Sequence, residues 1–195
     1  MEEKEMLFRC SAVGNLMSEP KLAADKKAGK LSKTADSYLN QFIFEYKYGR
    51  RQNFSTKATQ KGTQTEDDGI HVLNMVMKTR YKKNETRFNG DYLTGEPDIV
   101  AKDMIIDIKS NFLASTFLTK DSIDNVYKWQ LAGYCKLLDK RKGAIAYTLN
   151  NTPLEIIKSE ITSSYYKNGL VDLADEDKAK IALNHIYTDK HIVDG

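Results

Sequence analysis

The chain has 195 residues, 41% of them hydrophobic and 10% aromatic, with 29% charged and a net charge of +3. That is apolar material for one domain with a sizeable core and too mild a charge for a histone-like polycation; the two cysteines, Cys10 and Cys135, argue against a disulfide framework or a structural zinc site and exclude a four-cysteine iron–sulfur cluster within one chain. No apolar run approaches the ~20 residues that span a bilayer, and the charged N-terminus does not read as a signal peptide, so no membrane partner and a cytoplasmic setting are expected.

Residues 7 to 17, Leu7-Phe8-Arg9-Cys10-Ser11-Ala12-Val13-Gly14-Asn15-Leu16-Met17, read as a short ordered segment. Ser18 to Lys30 reads as loop, with Pro20, Gly29 and many lysines. The spacing of Tyr38, Leu39, Phe42, Ile43 and Tyr46 predicts a helix from Lys33 to Tyr48, stopped by Gly49 at C′. Gly49 to Gln60 is polar and basic, and reads as a loop. Between Lys21 and Lys61, lysine and arginine far outnumber the acidic residues Asp25, Asp36 and Glu45. Such a surface follows phosphates, or simply keeps the protein soluble.

A second helix is expected from about Gly62 to Tyr81. Glu66, Ile70, Leu73 and Met77 fall at i, i+4, i+7 and i+11 and share one face. A carboxylate in line with an apolar stripe is costly unless it has a partner. A metal ion is one such partner. A place at the solvated helix N-terminus, favoured by the dipole, is the alternative.

Next come two β-type runs, Gly95-Glu96-Pro97-Asp98-Ile99-Val100 and Met104-Ile105-Ile106-Asp107-Ile108-Lys109, joined by Ala101-Lys102-Asp103. Side chains alternate along a strand, so Asp107 and Lys109 share a face opposite to Ile106 and Ile108. A hairpin turning near Lys102 brings Asp98 beside Asp107. Two neighbouring carboxylates repel unless a cation lies between them. Hard oxygen ligands suit Mg²⁺ or Mn²⁺, and a lysine beside them can orient a nucleophilic water or stabilise charge on a phosphate. That combination points to metal-assisted phosphodiester hydrolysis. A solvated hairpin with charges on its wet face would show the same residues.

Asn111 to Lys120 reads as loop. A helix from about Asp121 to Leu138 carries an inner stripe of Ile123, Val126, Tyr127, Gln130, Leu131, Tyr134, Leu137 and Leu138. Gln130 interrupts that stripe with an amide that needs partners, on a backbone or in the active site. Gly143 to Leu149 reads as a strand. Leu154 to Asn168 and Asp175 to Asp189 read as C-terminal helices. His71, His185 and His191 show no metal-ligand spacing, and no Gly-rich phosphate loop occurs.

Helix with Glu, strand with Pro-Asp, strand with Asp-x-Lys, then helix with Gln and Tyr is an order that resembles the PD-(D/E)xK nuclease superfamily. Within it the chain is most similar to phage lambda exonuclease and the YqaJ-type viral recombination exonucleases. Lys61-Gly62-Thr63-Gln64-Thr65-Glu66 resembles the Gly-x-x-x-Glu opening motif. Pro97-Asp98 and Asp107-Ile108-Lys109 resemble the central motifs, and Trp129-Gln130-Leu131-Ala132-Gly133-Tyr134 the Gln-bearing helix. Ser11 to Met17 resembles the N-terminal segment whose serine helps to hold a 5′-phosphate, and Ser37-Tyr38-Leu39 fits the next helix. The resemblance covers about residues 7 to 150. Asp107 stands where lambda exonuclease has a glutamate, a common exchange in the superfamily.

The resemblance implies an α/β (α+β) restriction-endonuclease-like fold, a mixed sheet flanked by helices. It implies a single exonuclease domain over 1–195, with a core of about 7–150 and a helical extension over 151–195. Glu66, Asp98, Asp107 and the Ile108 carbonyl would ligate one or two Mg²⁺ or Mn²⁺ ions, without an iron–sulfur cluster. Lys109 would position the attacking water. Gln130 would orient the site or a DNA phosphate. Ser11, with Arg9, Arg50, Arg51 and Tyr134 as candidates, would bind DNA and its 5′-phosphate. The implied activity is 5′-to-3′ resection of linear duplex DNA with free ends for phage-type recombination. A single-strand annealing protein is the implied functional partner and a ring trimer the implied homo-oligomer. A restriction-type or structure-specific endonuclease, or a catalytically silent DNA-binding protein, would carry the same fold.

Overall fold

The computed structural model describes residues 6–51, 55–167 and 174–183. These divide into two compact units. The first takes in 6–51, 83–107 and 122–145, the second 55–82, 108–121, 146–167 and 174–183.

In the first unit β1 (Phe8–Arg9) leads straight into α1 (Cys10–Leu16). The segment expected as loop holds one short helix, α2 (Ala23–Lys27). Its five residues are too few for apolar periodicity to show. Helix α3 (Lys33–Tyr48) has the predicted bounds. The Ser32 hydroxyl accepts from the Ala35 N–H at 3.0 Å, and Gly49 closes the helix at φ +63°. A hairpin that periodicity leaves unassigned follows, of β2 (Phe88–Asn89) and β3 (Leu93–Gly95). Its strands are two and three residues long, too short for an alternation to register. Strand β1 pairs in parallel with β3, giving the order β1-β3-β2.

The other sheet has the order β4-β5-β6, from β4 (Ile99–Val100), β5 (Met104–Ser110) and β6 (Lys142–Thr148). Both β5 and β6 begin in the first unit and end in the second. Helix α7 (Asn125–Leu137) belongs to the first unit and packs against α1. The core there is Cys10, Ile105 and Tyr134, flanked by Leu93, Cys135, Leu137 and Leu138. Burial pushes the Cys10 thiol up to about 11, so it stays protonated as a small apolar group.

In the second unit the one helix expected over 62–81 is two, α4 (Lys57–Gln64) and α5 (Glu66–Met77), parted at Thr65. The Thr65 hydroxyl donates to the Lys61 carbonyl at 2.9 Å, and Thr65 leaves helical geometry at φ −111°, ψ 15°. A hydroxyl bonding back one turn bends or ends a helix, which apolar spacing cannot reveal. The stripe also fades: Ile70 is buried, whereas Met77 is 61% exposed. Short α6 (Ala114–Leu118) occupies the expected 111–120 loop, and α8 (Leu154–Lys167) and α9 (Asp175–Leu183) follow. Residue 168 and the expected continuation to 189 lie outside the described residues. No described helix is long and apolar enough to cross a membrane.

Two glycines make opposite predictions. A Cβ on Gly14 would lie 2.7 Å from the Val126 Cα of α7, whereas one on Gly62 meets nothing within 4 Å. Gly14→Ala should therefore cost about 1–3 kcal/mol, by overpacking against backbone. Gly62→Ala should stabilise by about 0.4–1 kcal/mol, by restricting the unfolded chain. Urea unfolding midpoints check both signs.

Candidate active site

The β4–β5 pair sets the geometry of the first unit's acidic centre. Ile99 pairs with Ile106 and Val100 with Ile105, antiparallel, and the Ala101 N–H donates to the Met104 carbonyl at 2.9 Å. Lys102 and Asp103 form the turn. Continuing that register by one pair sets Asp98 opposite Asp107. Opposite residues on an antiparallel pair share a face, with Cβ atoms about 4.5–5.5 Å apart. Asp98 itself precedes β4, and Asp107 lies within β5. Asn84 holds the approach to β4: its N–H donates to the Asp98 carbonyl at 2.7 Å and its side chain to the Pro97 carbonyl at 3.0 Å.

Asp107 is 2% exposed and Gln130 4%. Gln130 Nε2 donates to Asp107 Oδ1 at 2.9 Å and to Tyr134 Oη at 3.2 Å. Tyr134 Oη in turn donates to the Glu96 carbonyl at 3.3 Å. Helix α7 therefore supplies an amide and a phenol, one turn apart, behind the carboxylates. Burial raises the Tyr134 pKa most; the bond from Gln130 opposes this, and the charges of Asp107 and Asp98 add to it. The phenol stays protonated and can donate. Tyr134, expected among the DNA-binding residues, is 3% exposed and has its hydroxyl held inside the unit. Its ring also explains Gly95, where a Cβ would lie 2.5 Å from Tyr134 Cε1.

Glu66, Ile108 and Lys109 belong to the second unit. Glu66 is the half-buried first residue of α5, followed by exposed Asp67 and Asp68. All three acids suit a helix N-terminus. Ile108 packs on Gly69, where a Cβ would approach Ile108 Cγ2 to 2.6 Å. Lys109 is half-buried, two residues beyond Asp107 on β5. Lys61, read from sequence as the end of a basic run and the start of the opening-motif stretch, is wholly buried, and its Nζ donates to the Phe112 carbonyl at 3.1 Å. Burial lowers its pKa from 10.5 to about 8. Its partner is 51 residues away, so no local pattern marks it.

Asp98 and Asp107 offer carboxylate oxygens, the ligand type that fits Mg²⁺ or Mn²⁺. Among the described residues no group of three or more His, Cys, Asp or Glu side chains is gathered as around an ion. The residues expected at a 5′-phosphate are disposed differently. Arg9 makes a two-pronged pair with Glu45, both bonds at 3.0 Å. Ser11 is exposed on α1, and Arg50 and Arg51 are exposed beyond α3. The Tyr38 hydroxyl is raised by burial, lowered by Arg9, raised by Glu45 and lowered by Arg51, which places these charges around one phenol.

A mixed sheet flanked by helices, with Pro-Asp just before one strand and Asp-x-Lys on its neighbour, defines the restriction-endonuclease-like class of nuclease fold. No protein-family model matches the chain, and no curated protein does. Among solved structures it is similar to a phage-related exonuclease from Haemophilus somnus 129PT, at 30% identity and TM-score 0.68, over 78% of this chain and 72% of that one. An alkaline exonuclease from Laribacter hongkongensis, LHK-Exo, shares the fold at 14% identity and TM-score 0.58, over 90% and 89%. LHK-Exo in complex with dAMP aligns at 16% identity and TM-score 0.57, over 77% and 73%. The chain belongs to the phage-related exonuclease family, of the lambda exonuclease/YqaJ type among the PD-(D/E)xK nucleases.

Gln130→Leu should cost about 1–3 kcal/mol, because it removes the donor to a buried carboxylate oxygen. Chemical unfolding measures this; an unchanged midpoint would show that the bond contributes nothing to the fold. Lys61 predicts a pH dependence. As pH rises through about 8 the native chain releases this proton, while the unfolded chain keeps it until about 10.5. Over that window the unfolded state binds more protons, so stability should rise with pH. The melting temperature of the wild type minus that of Lys61→Met should climb between pH 7.5 and 10. A flat or falling difference would contradict the buried, depressed lysine.

Proposed function

We propose that the protein is a Mg²⁺- or Mn²⁺-dependent DNA exonuclease that resects linear duplex DNA from a 5′ end. The observation that carries this reading is the antiparallel β4–β5 pair bearing the Pro-Asp and Asp-x-Lys motifs, with Gln130 bonded to Asp107, in a chain of the phage-related exonuclease family. Asp98, Asp107 and the Ile108 carbonyl would hold one or two ions, with Glu66 assigned by its motif position. A bound ion supplies Lewis acidity at the phosphate and lowers the pKa of water. The remaining work belongs to the chain. Gln130 holds Asp107 Oδ1 from behind, so that this carboxylate keeps one rotamer. Tyr134, as a neutral donor, holds the Glu96 carbonyl next to Pro97 and Asp98. Lys109 orients the attacking water and neutralises charge as the phosphodiester bond opens. Hydrolysis would leave a 5′-phosphate on the product.

End selection is assigned to Ser11 and the basic residues Arg9, Arg50 and Arg51. A terminal phosphate is read by charge and not by base edges, so cutting should show little sequence preference. By the same family likeness, a ring-shaped homotrimer and a single-strand annealing protein belong to this reading.

Asp98→Ala, Asp107→Ala and Lys109→Ala should each abolish cleavage and leave a folded protein. The two aspartate variants should also lose Mn²⁺ binding in calorimetry, whereas the lysine variant should bind the ion and still fail to cut. The substrate test uses one duplex in three forms: with a 5′-phosphate, with a 5′-hydroxyl, and ligated into a circle. The phosphorylated linear form should be digested fastest and the circle spared. Equal digestion of all three would instead identify an endonuclease, and binding without cleavage a silent DNA-binding protein.

A further inference from the structure

We infer that Asn150 is a positioning residue for the cleavage reaction: through one buried amide it sets the backbone that carries Glu66 relative to the strand end that carries Lys109. The inference rests on the nuclease reading above, and every residue in it lies in the second unit.

Asn150 follows β6 and is 5% exposed. Its Nδ2 lies 3.2 Å from the Thr65 carbonyl, 3.0 Å from Ser110 Oγ and 3.2 Å from Thr148 Oγ1. Thr65 is the break between α4 and α5, and the next residue is Glu66. Ser110 ends β5, and the residue before it is Lys109. The two functional side chains are thus each one peptide away from an atom that touches the same amide.

The hydrogens can be assigned. The Thr65 hydroxyl donates to the Lys61 carbonyl at 2.9 Å, which uses its only proton. In the 2.8 Å contact between Thr65 Oγ1 and Ser110 Oγ, Ser110 must therefore donate. Ser110 Oγ then accepts from Asn150. The bonds run in one direction, from Asn150 through Ser110 and Thr65 to Lys61. The second amide hydrogen serves the Thr65 carbonyl, which also takes the α5 N–H of Gly69 at 2.9 Å. Such a chain is cooperative, and a buried network is worth most when every member is satisfied. It has a rigid floor, because the Gly69 face of α5 lies against Ile108, Thr148 and Asn150.

Few other side chains could do this. The site needs two donors and no charge. A lysine or arginine would place a cation beside residues meant to hold one, and an aspartate would turn acceptors toward the Thr65 carbonyl. Displacement of a catalytic group by about 1 Å can cost ~10²-fold in rate.

The test is the single-turnover rate constant of cleavage with DNA prebound and Mg²⁺ saturating. A defect of folding alone lowers the amplitude of that phase and leaves its rate constant unchanged. Asn150→Asp, which keeps the shape but loses the donors, should slow the step at least ten-fold, with DNA affinity within two-fold of wild type. Thr65→Ser, which keeps both the hydroxyl and the carbonyl, should cut at the wild-type rate. If Asn150→Asp does not fold, Ser110→Ala removes one hydroxyl from the middle of the chain and should also slow the step. A wild-type rate constant in Asn150→Asp, or in Ser110→Ala where that stands in, overturns the inference. Glu66→Gln and Lys109→Ala run alongside. If they cut normally, the assignment of the site itself has failed; if they are dead while Asn150→Asp is normal, only the positioning role has.

Discussion

Antiparallel pairing of Ile99 with Ile106 is the constraint on which the acidic centre depends. The pairing is short, and a two-residue turn at Lys102 and Asp103 leaves it no room to slip. A slip of one residue would send Asp107 to the opposite face and bring Ile106 or Ile108 in its place. The apolar side chains enforce the register: Ile99, Ile105, Ile106 and Ile108 are all buried, so any other alignment would expose isoleucine and bury charge without help.

Two amides do related work in the two units. Gln130 in the first brings donors to a buried carboxylate, and Asn150 in the second brings donors to a buried carbonyl and hydroxyl. Each satisfies oxygen without adding charge. On the metal-dependent reading proposed above this matters, since a basic side chain in the same place would compete with the ion. Around them the glycines permit close approach: Gly95 under the Tyr134 ring and Gly69 against Ile108. Polar satisfaction and close packing thus fall on the same few elements, α5, β5 and α7. Most ion pairs, by contrast, are on the surface and contribute little to the fold. The two-pronged Arg9–Glu45 pair, itself only partly exposed, is better placed than the rest to order its helix.

The elements that could be read from sequence are those whose causes are local. Helix α3 has its capping serine and its left-handed glycine written at its two ends, so its bounds follow from residues within one turn. The β4–β5 hairpin is similar: a polar turn between two apolar runs and a fixed number of residues between Asp98 and Asp107. Gln130 was marked by being polar in an apolar stripe. The sequence by itself therefore determined the helix with Gly49, the β4–β5 hairpin and the family to which its motifs belong. Tertiary structure decided the rest, because the partners are far apart in the chain. Asn150 reaches Thr65 across 85 residues, Lys61 reaches Phe112 across 51, and Arg9 is held by Glu45 across 36. The break at Thr65 shows the difference plainly. Apolar spacing continued through it, and the helix stopped because a hydroxyl, a serine at the end of β5 and an amide beyond β6 all converge on that residue. Periodicity records which face is apolar; it carries no information about which distant donor will meet a given carbonyl.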